Sequence, residues 1–302
     1  MRTYIRIMIV AAVTTMGIQL VGASPAAAFA ERVRTSSNSA FDSALSKTAT
    51  AKCPVGMVIV GGGGIVINGA NQVMLTRLQP VHSTSGGDSY VASAAEIRQL
   101  PRFKFKPNTA DLYQSYGGKW RVRAYAVCAS SGVFTGYELK TSTSTGASEP
   151  FRRQSASCSP NNVTLGVGAR VDVPAPGMVG LQMARAGRYL NGADVTAQEG
   201  PDGYAADWKL TAYAICALTP YGYNPQVVTT TSTGTTAKCD DFKVADNVLH
   251  TRVNGGSGGG SMWGSGRAYL WSLYPTHNLR AARADLTRPP SGEMLVQAIC
   301  AY

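Results

Sequence analysis

Six cysteines carry the most definite chemistry in this 302-residue chain. Cys53, Cys128, Cys158, Cys216, Cys239 and Cys300 show no C-x-x-C spacing, which argues against a zinc site or a redox dithiol and leaves disulfides. A serine nucleophile is spelled out once, as Gly255-Gly-Ser257-Gly-Gly259, but a nucleophile elbow needs a strand, a sharp turn and a helix. Ser257 lies in a run of glycines with no helix pattern after it, and reads as flexible loop. His82, His250 and His277 are scattered and have no ligand or catalytic partner at telling spacing, so they read as loop or surface residues. Asp240, Asp241 and Asp246 could offer oxygens to Ca²⁺, yet the Asp-x-Asp-x-Asp-Gly loop is absent. Gly61 to Gly64 lacks the Lys-Ser/Thr and the helix of a phosphate cradle. Glycoside hydrolysis needs two carboxylates at a set separation, and no motif nominates a pair. No catalytic residue, metal ligand or cofactor is therefore expected.

Binding is the chemistry that composition favours. The formal charge is +11 although only 15% of residues are charged, so the cations are thinly opposed. Arg2 and Arg6 belong to an export signal over residues 1–30, with an apolar stretch from Ile7 to Val21 and a small-x-small cleavage site at Ala28-Phe29-Ala30. Met8 to Ala23 is short for a membrane span and contains Thr14, Thr15, Gly17 and Gln19, and no later segment is apolar enough to cross a bilayer. Losing both signal arginines leaves a mature charge of about +9. A basic exported protein suits anionic partners such as cell-wall polymers or lipid headgroups. Export and the lack of a nucleic-acid-binding signature argue against nucleic acid. Candidate contacts begin with Arg102, Phe103, Lys104, Phe105 and Lys106, where basic and aromatic residues alternate. Such a run suits a polyanion or a membrane surface, or else an edge strand kept soluble by its lysines. Trp263 and Trp271 in the Gly-rich final third are further ligand-binding candidates, followed by Tyr113, Tyr116, Tyr189 and Tyr204.

Strands must position these residues. Alternating runs, β-branched residues and Gly-rich turns dominate the chain, which reads as all-β. One segment occurs twice, as Trp120-Arg-Val-Arg-Ala-Tyr-Ala-Val-Cys128-Ala and Trp208-Lys-Leu-Thr-Ala-Tyr-Ala-Ile-Cys216-Ala, with a degraded third copy from Met294 to Tyr302. Period two places Trp120, Val122, Ala124, Ala126 and Cys128 on one face, and Trp208, Leu210, Ala212, Ala214 and Cys216 likewise. That face reads as core, and the Tyr125 and Tyr213 end of the other face is expected to meet a neighbouring strand or repeat.

Each copy has an earlier cysteine, so the repeat selects Cys53–Cys128, Cys158–Cys216 and Cys239–Cys300, bridges worth about 4 kcal/mol each. After Cys53 and Cys158 a turn leads into a strand with alternate glycines, Gly61 and Gly63 matching Gly166 and Gly168. Glycines there mark a bulge or the close approach of another backbone. The third unit lacks them after Cys239 and has a Gly-rich tract from Gly255 to Gly266 instead. Thr/Ser-rich strands, Tyr137 to Gly146 and Pro225 to Gly234, precede two of the units. The expected organisation is a signal over 1–30 and three repeats over 31–131, 132–218 and 219–302, the first with an insertion near 98–116. Each repeat is disulfide-framed and antiparallel, packed as a β-sandwich or a β-prism-like body.

The pattern Cys-Pro-x-Gly, a Gly-Gly-Gly strand and Trp-x-Val-x-Ala-Tyr-Ala-Val-Cys-Ala resembles a small cysteine-framed β module of secreted actinobacterial proteins and phage surface proteins. The likeness covers most of residues 46–302, and the third copy lacks Cys-Pro, the glycine strand and the tryptophan. Three-fold repetition with disulfides is also similar to the β-prism of vitelline-membrane outer-layer proteins. The cysteine-framed module carries no settled activity. The disulfide-framed scaffold, the repeated units and the basic exterior lead to the expectation of a secreted, extracellular, non-enzymatic protein that binds or coats a cell-surface component, carbohydrate or anionic wall polymer. A secreted hydrolase or toxin with an unrecognised site, and a partner-binding or inhibitor protein acting through the first unit's insertion, are the alternatives.

Overall fold

Period-two alternation in the Trp-to-Cys segments builds strands with one sealed face. The computed structural model describes residues 32–69, 71–84, 87–98, 116–200, 202–218, 226–232, 236–239, 252–259, 268–287 and 294–301. Val122, Ala124, Ala126 and Cys128 are fully shielded from solvent, as are Leu210, Ala212, Ala214 and Cys216. Trp120 and Trp208 are buried at the start of these strands, as core residues.

The protein is all-β. In chain order the first six strands are β1 (Arg32–Asn38), β2 (Ser46–Lys52), β3 (Met57–Ile67), β4 (Val73–Val81), β5 (Ser89–Glu96) and β6 (Arg121–Ser130). The next six are β7 (Thr135–Thr143), β8 (Phe151–Ser157), β9 (Val163–Asp172), β10 (Val179–Ala186), β11 (Gly192–Glu199) and β12 (Lys209–Leu218). The last six are β13 (Gln226–Ser232), β14 (Thr236–Lys238), β15 (Arg252–Gly259), β16 (Leu270–Pro275), β17 (Ala281–Leu286) and β18 (Met294–Ala301).

They form three antiparallel sheets. Sheet I runs β1-β6-β3-β16-β17-β14, sheet II β2-β5-β4-β9-β12-β7 and sheet III β13-β18-β15-β10-β11-β8. Each sheet therefore joins three strands from one stretch of the chain to three from another, and the last stretch closes back onto the first in sheet I. The joints occupy matching places: Arg77 opposite Arg170, Met183 opposite Gly259, and Ser272 opposite Ile65. The strands β3, β9 and β15 lie against one another where the three sheets meet. Residues 31–302 form one compact, prism-like unit.

The glycines make this convergence possible. A Cβ on Gly63 would stand 2.0 Å from the Leu273 carbonyl oxygen, and one on Gly168 2.4 Å from that of Leu78. β3 also bulges between Ile59 and Gly61. The third glycine strand exists, but later than an alignment on Cys239 suggests: Gly255 pairs with Ile299 as Gly61 pairs with Val127. Ser257 accordingly lies in strand β15 opposite Gln297, not in a flexible loop.

Within the prism, Met74, Gly180 and Tyr269, which directly precede the matching Leu75, Leu181 and Leu270, fill one space. A Cβ on Gly180 would meet Met74 Sδ at 2.3 Å and the Tyr269 ring at 2.8 Å. Two large side chains thus pack because the third is absent, and the Tyr269 hydroxyl donates to the Glu199 carbonyl at 2.8 Å.

The disulfides link the sheets in a cycle. Cys53, just after β2 of sheet II, bonds Cys128 in sheet I; Cys158, after β8 of sheet III, bonds Cys216 in sheet II; Cys239, after β14 of sheet I, bonds Cys300 in sheet III. Two of these corners carry a matching polar clamp. Trp120 Nε1 donates to Glu96 Oε1 at 2.9 Å while Lys47 Nζ lies 4.6 Å from the indole. Trp208 Nε1 donates to Glu199 Oε1 at 3.0 Å with Arg152 above the ring. By alignment the third stretch has Thr233, Arg288 and Gly292 at these positions, which lie outside the described residues.

Glu138 is one carboxylate whose bonds are expected to weaken in acid. Glu138 on β7 accepts hydrogen bonds from Ser159 N and Oγ and from Asn162 Nδ2, tying β7 to the turn after Cys158. Burial pulls its pKa upward, but these bonds and Lys140 prevail and hold it at about 2, from an ordinary 4.5. A depressed carboxylate stabilises the fold above its unfolded pKa and loses that stabilisation as pH falls through the folded one. Stability should decline between about pH 4.5 and 2, and Glu138→Gln should flatten that decline by under about 1 kcal/mol, since solvent screens the site. Equilibrium denaturation across this range checks it.

Candidate functional site

The outer face of sheet I gathers cations from both ends of the chain. In antiparallel pairs, opposed residues share a face. Register therefore places Arg32 and Arg34 of β1, Arg121 and Arg123 of β6, Arg283 of β17 and Lys238 of β14 on one side, with Asp285 as the acidic residue among them. Tyr125 and Tyr274 occupy the middle, stacked with ring centroids 5.3 Å apart. The Arg34 guanidinium lies 4.1 Å from the Tyr125 ring centroid, and Arg121 reaches over Phe41. Arg123 Nε donates to Asn38 Oδ1 at 2.6 Å. Burial holds the Arg34 guanidinium below its ordinary value, a shift that Tyr125 offsets and Arg123 adds to. It remains a cation, as guanidinium groups do in proteins. A guanidinium laid on a tyrosine is held in place, and such a group can receive phosphate or carboxylate oxygens.

Asp285 bonds Arg283 at 3.1 Å, and among the described residues the other faces carry fewer cations beside their own carboxylates. Sheet II carries Lys52, Arg77, Arg170 and Lys209, and Asp172 bonds Arg170 at 2.7 Å. On sheet III, Asp194 bridges both Arg153 and Arg185.

A small cavity of about 220 Å³ lies where β3 turns into β4, lined by Val66, Asn68, Gly69, Asn71, Val73 and Trp271. A larger, open groove of about 590 Å³ occupies the corresponding turn after β9, with Arg170, Asp172, Asp207, Trp208 and Lys209 on its walls.

Of the sequence candidates, Trp271 is placed at the cavity. Tyr116 serves the fold, donating its hydroxyl to the Asn68 carbonyl and its N–H to Glu96. Tyr204 donates its N–H to Glu199, and Tyr189 is 81% exposed. Arg102, Phe103, Lys104, Phe105, Lys106, Tyr113, Trp263, His250, Asp240, Asp241 and Asp246 lie outside the described residues.

His82 has a partner that its spacing did not advertise. Its Nδ1 is hydrogen-bonded to Asp88 Oδ1 at 2.8 Å, and the same oxygen accepts the Ser83 N–H. Asp88 Oδ2 accepts the Ile59 N–H at 2.8 Å and the Tyr137 hydroxyl at 3.3 Å, and burial raises the Tyr137 pKa, with Asp88 adding to the shift. Both oxygens of this buried carboxylate are engaged in joining β3, β7 and the turn before β5. The cluster works as a tie between strands. Among the described residues no group of three or more His, Cys, Asp or Glu side chains could hold a metal ion, and no helix is long and apolar enough to cross a membrane.

No known family model matches the chain, and no curated protein matches it.

Proposed function

We propose that this is a secreted, non-enzymatic protein of the cell surface that binds an anionic wall polymer through the outer face of sheet I. The observation that carries this reading is the gathering of Arg34, Arg121, Arg123, Arg283 and Lys238 on one sheet face, where Asp285 bonds Arg283 at 3.1 Å. Like charges held together repel, and a polyanion laid across them relieves that repulsion while forming charge-assisted hydrogen bonds. Three disulfides support the extracellular setting, since such bonds persist outside reducing compartments. The cysteine-framed module that the chain resembles is in keeping with it.

The test is binding of a poly(glycerol phosphate) chain. Arg123→Glu with Arg283→Glu should weaken binding about tenfold, or about 1.4 kcal/mol. Lys52→Glu with Lys209→Glu on sheet II makes the same change of net charge and should weaken it less than about threefold. Equal losses from both pairs would leave only nonspecific charge attraction and contradict the assignment.

A further inference from the structure

The cavity at the β3–β4 turn has a different chemistry from the basic face. Among the described residues its lining contains no charged side chain. Val66 and Val73 are buried and give it an apolar floor. Trp271 forms a wall, and its indole is fixed by donating Nε1–H to the Leu286 carbonyl at 3.1 Å. Asn68 and Asn71 line it from left-handed backbone, at φ 63° and 58°, a conformation that asparagine tolerates better than most residues. The turn is closed by Gly69, where a Cβ would stand 2.5 Å from Val66 Cγ1 and 2.9 Å from Val73 Cβ. The Tyr116 hydroxyl pins the turn from outside through the Asn68 carbonyl at 2.8 Å.

An aromatic wall, an apolar floor and paired amide donors and acceptors complement one class of small molecule. A pyranose ring presents C–H groups on its face and hydroxyls at its edge. The face suits an immobilised indole, and the hydroxyls suit carboxamides, each of which both donates and accepts. At about 220 Å³ the cavity lies below the roughly 300 Å³ at which drug-sized pockets begin, so it suits one ring rather than an oligomer. The uncharged character of the described lining argues for a neutral sugar, in contrast to the groove after β9 with Arg170, Asp172, Asp207 and Lys209.

We infer that this cavity binds a single neutral pyranose, a hexose or an N-acetylhexosamine, stacked on Trp271 and hydrogen-bonded by Asn68 and Asn71. The inference does not rest on the polymer reading. It uses other residues and another chemistry, and either can fail alone.

Methyl glycosides of glucose, galactose, mannose, N-acetylglucosamine and N-acetylgalactosamine are titrated into the intact protein while the indole N–H resonances are followed by NMR. At least one should shift the Trp271 signal saturably with a Kd in the millimolar range, about that of a few unaided hydrogen bonds and one stacked ring. Raising salt to about 0.5 M should leave that Kd within about twofold, because no ion pair is involved. Asn71→Ala should weaken binding about fivefold to tenfold. Asn68→Gly, which keeps the left-handed backbone accessible, should do the same with the melting temperature unchanged. Trp271→Phe retains an aromatic wall and identifies the indole signal by its loss. No saturable shift with any of the five glycosides, or shifts that survive both asparagine substitutions at full strength, would overturn the inference.

Discussion

Gly63→Ala is expected to destabilise the protein by at least about 3 kcal/mol, the upper end of what overpacking costs when side chains can yield. Here the obstacle is backbone. The added methyl would sit 2.0 Å from the Leu273 oxygen and 2.7 Å from Tyr274 Cα, so it can be accommodated only by parting β3 from β16. That joint closes the last stretch of the chain onto the first. A loss of this size lowers the melting temperature by roughly 6–12 °C in a domain of this length. Gly132→Ala is the control, because nothing lies within 4 Å of its Cβ position. It should be neutral or slightly stabilising. Calorimetry of the two variants decides the matter, and a Gly63→Ala protein melting within about 2 °C of the parent would contradict the close approach.

Removing a disulfide should cost about 4 kcal/mol, since the loops span 75, 58 and 61 residues and loop entropy varies slowly with length. Because each bridge fastens a different pair of sheets, the three double Cys→Ala variants should not be equal. At the corners of Cys53–Cys128 and Cys158–Cys216 the Trp120–Glu96 and Trp208–Glu199 clamps remain. At the corner of Cys239–Cys300 the positions corresponding by alignment are Thr233, Arg288 and Gly292. Cys239→Ala with Cys300→Ala is therefore expected to show the largest loss in denaturant titrations. Equal losses would mean that the clamps contribute nothing at the corners.

The strand faces were legible because a period of two needs only local sequence. Trp120, Val122, Ala124, Ala126 and Cys128 alternate with polar neighbours, and the structure seals that side. The glycines at 61, 63, 166 and 168 announced a close backbone approach for a similar reason, since little else explains glycine within a strand. What periodicity cannot supply is the identity of the neighbour. The joints between stretches rest on short pairings such as Arg77 with Arg170, too brief to leave a pattern. Met74, Gly180 and Tyr269 each precede a matching leucine but differ in size, because the three complement one another in one space.

The third glycine strand lies further from Cys239 than its counterparts lie from Cys53 and Cys158, so alignment on that cysteine does not reveal it. Counting back from Cys300 through the partner strand would have found Gly255 opposite Ile299. The basic face stayed hidden for the same long-range reason. Arg34, Arg123 and Arg283 lie far apart in sequence and meet only when β1, β6 and β17 join one sheet. Trp271 was marked by residue type alone, whereas Asn68 and Asn71 looked like ordinary turn residues until the cavity between them and the indole was formed.

The most direct measurement is the salt dependence of poly(glycerol phosphate) binding, compared between the parent and the Arg123→Glu, Arg283→Glu protein. If sheet I holds the polymer, affinity falls steeply as salt rises from about 0.05 to 0.2 M, and the variant shows both a weaker Kd and a shallower slope. An unchanged slope in that variant, with a reduced slope in Lys52→Glu, Lys209→Glu instead, would place the polymer on sheet II and contradict the account.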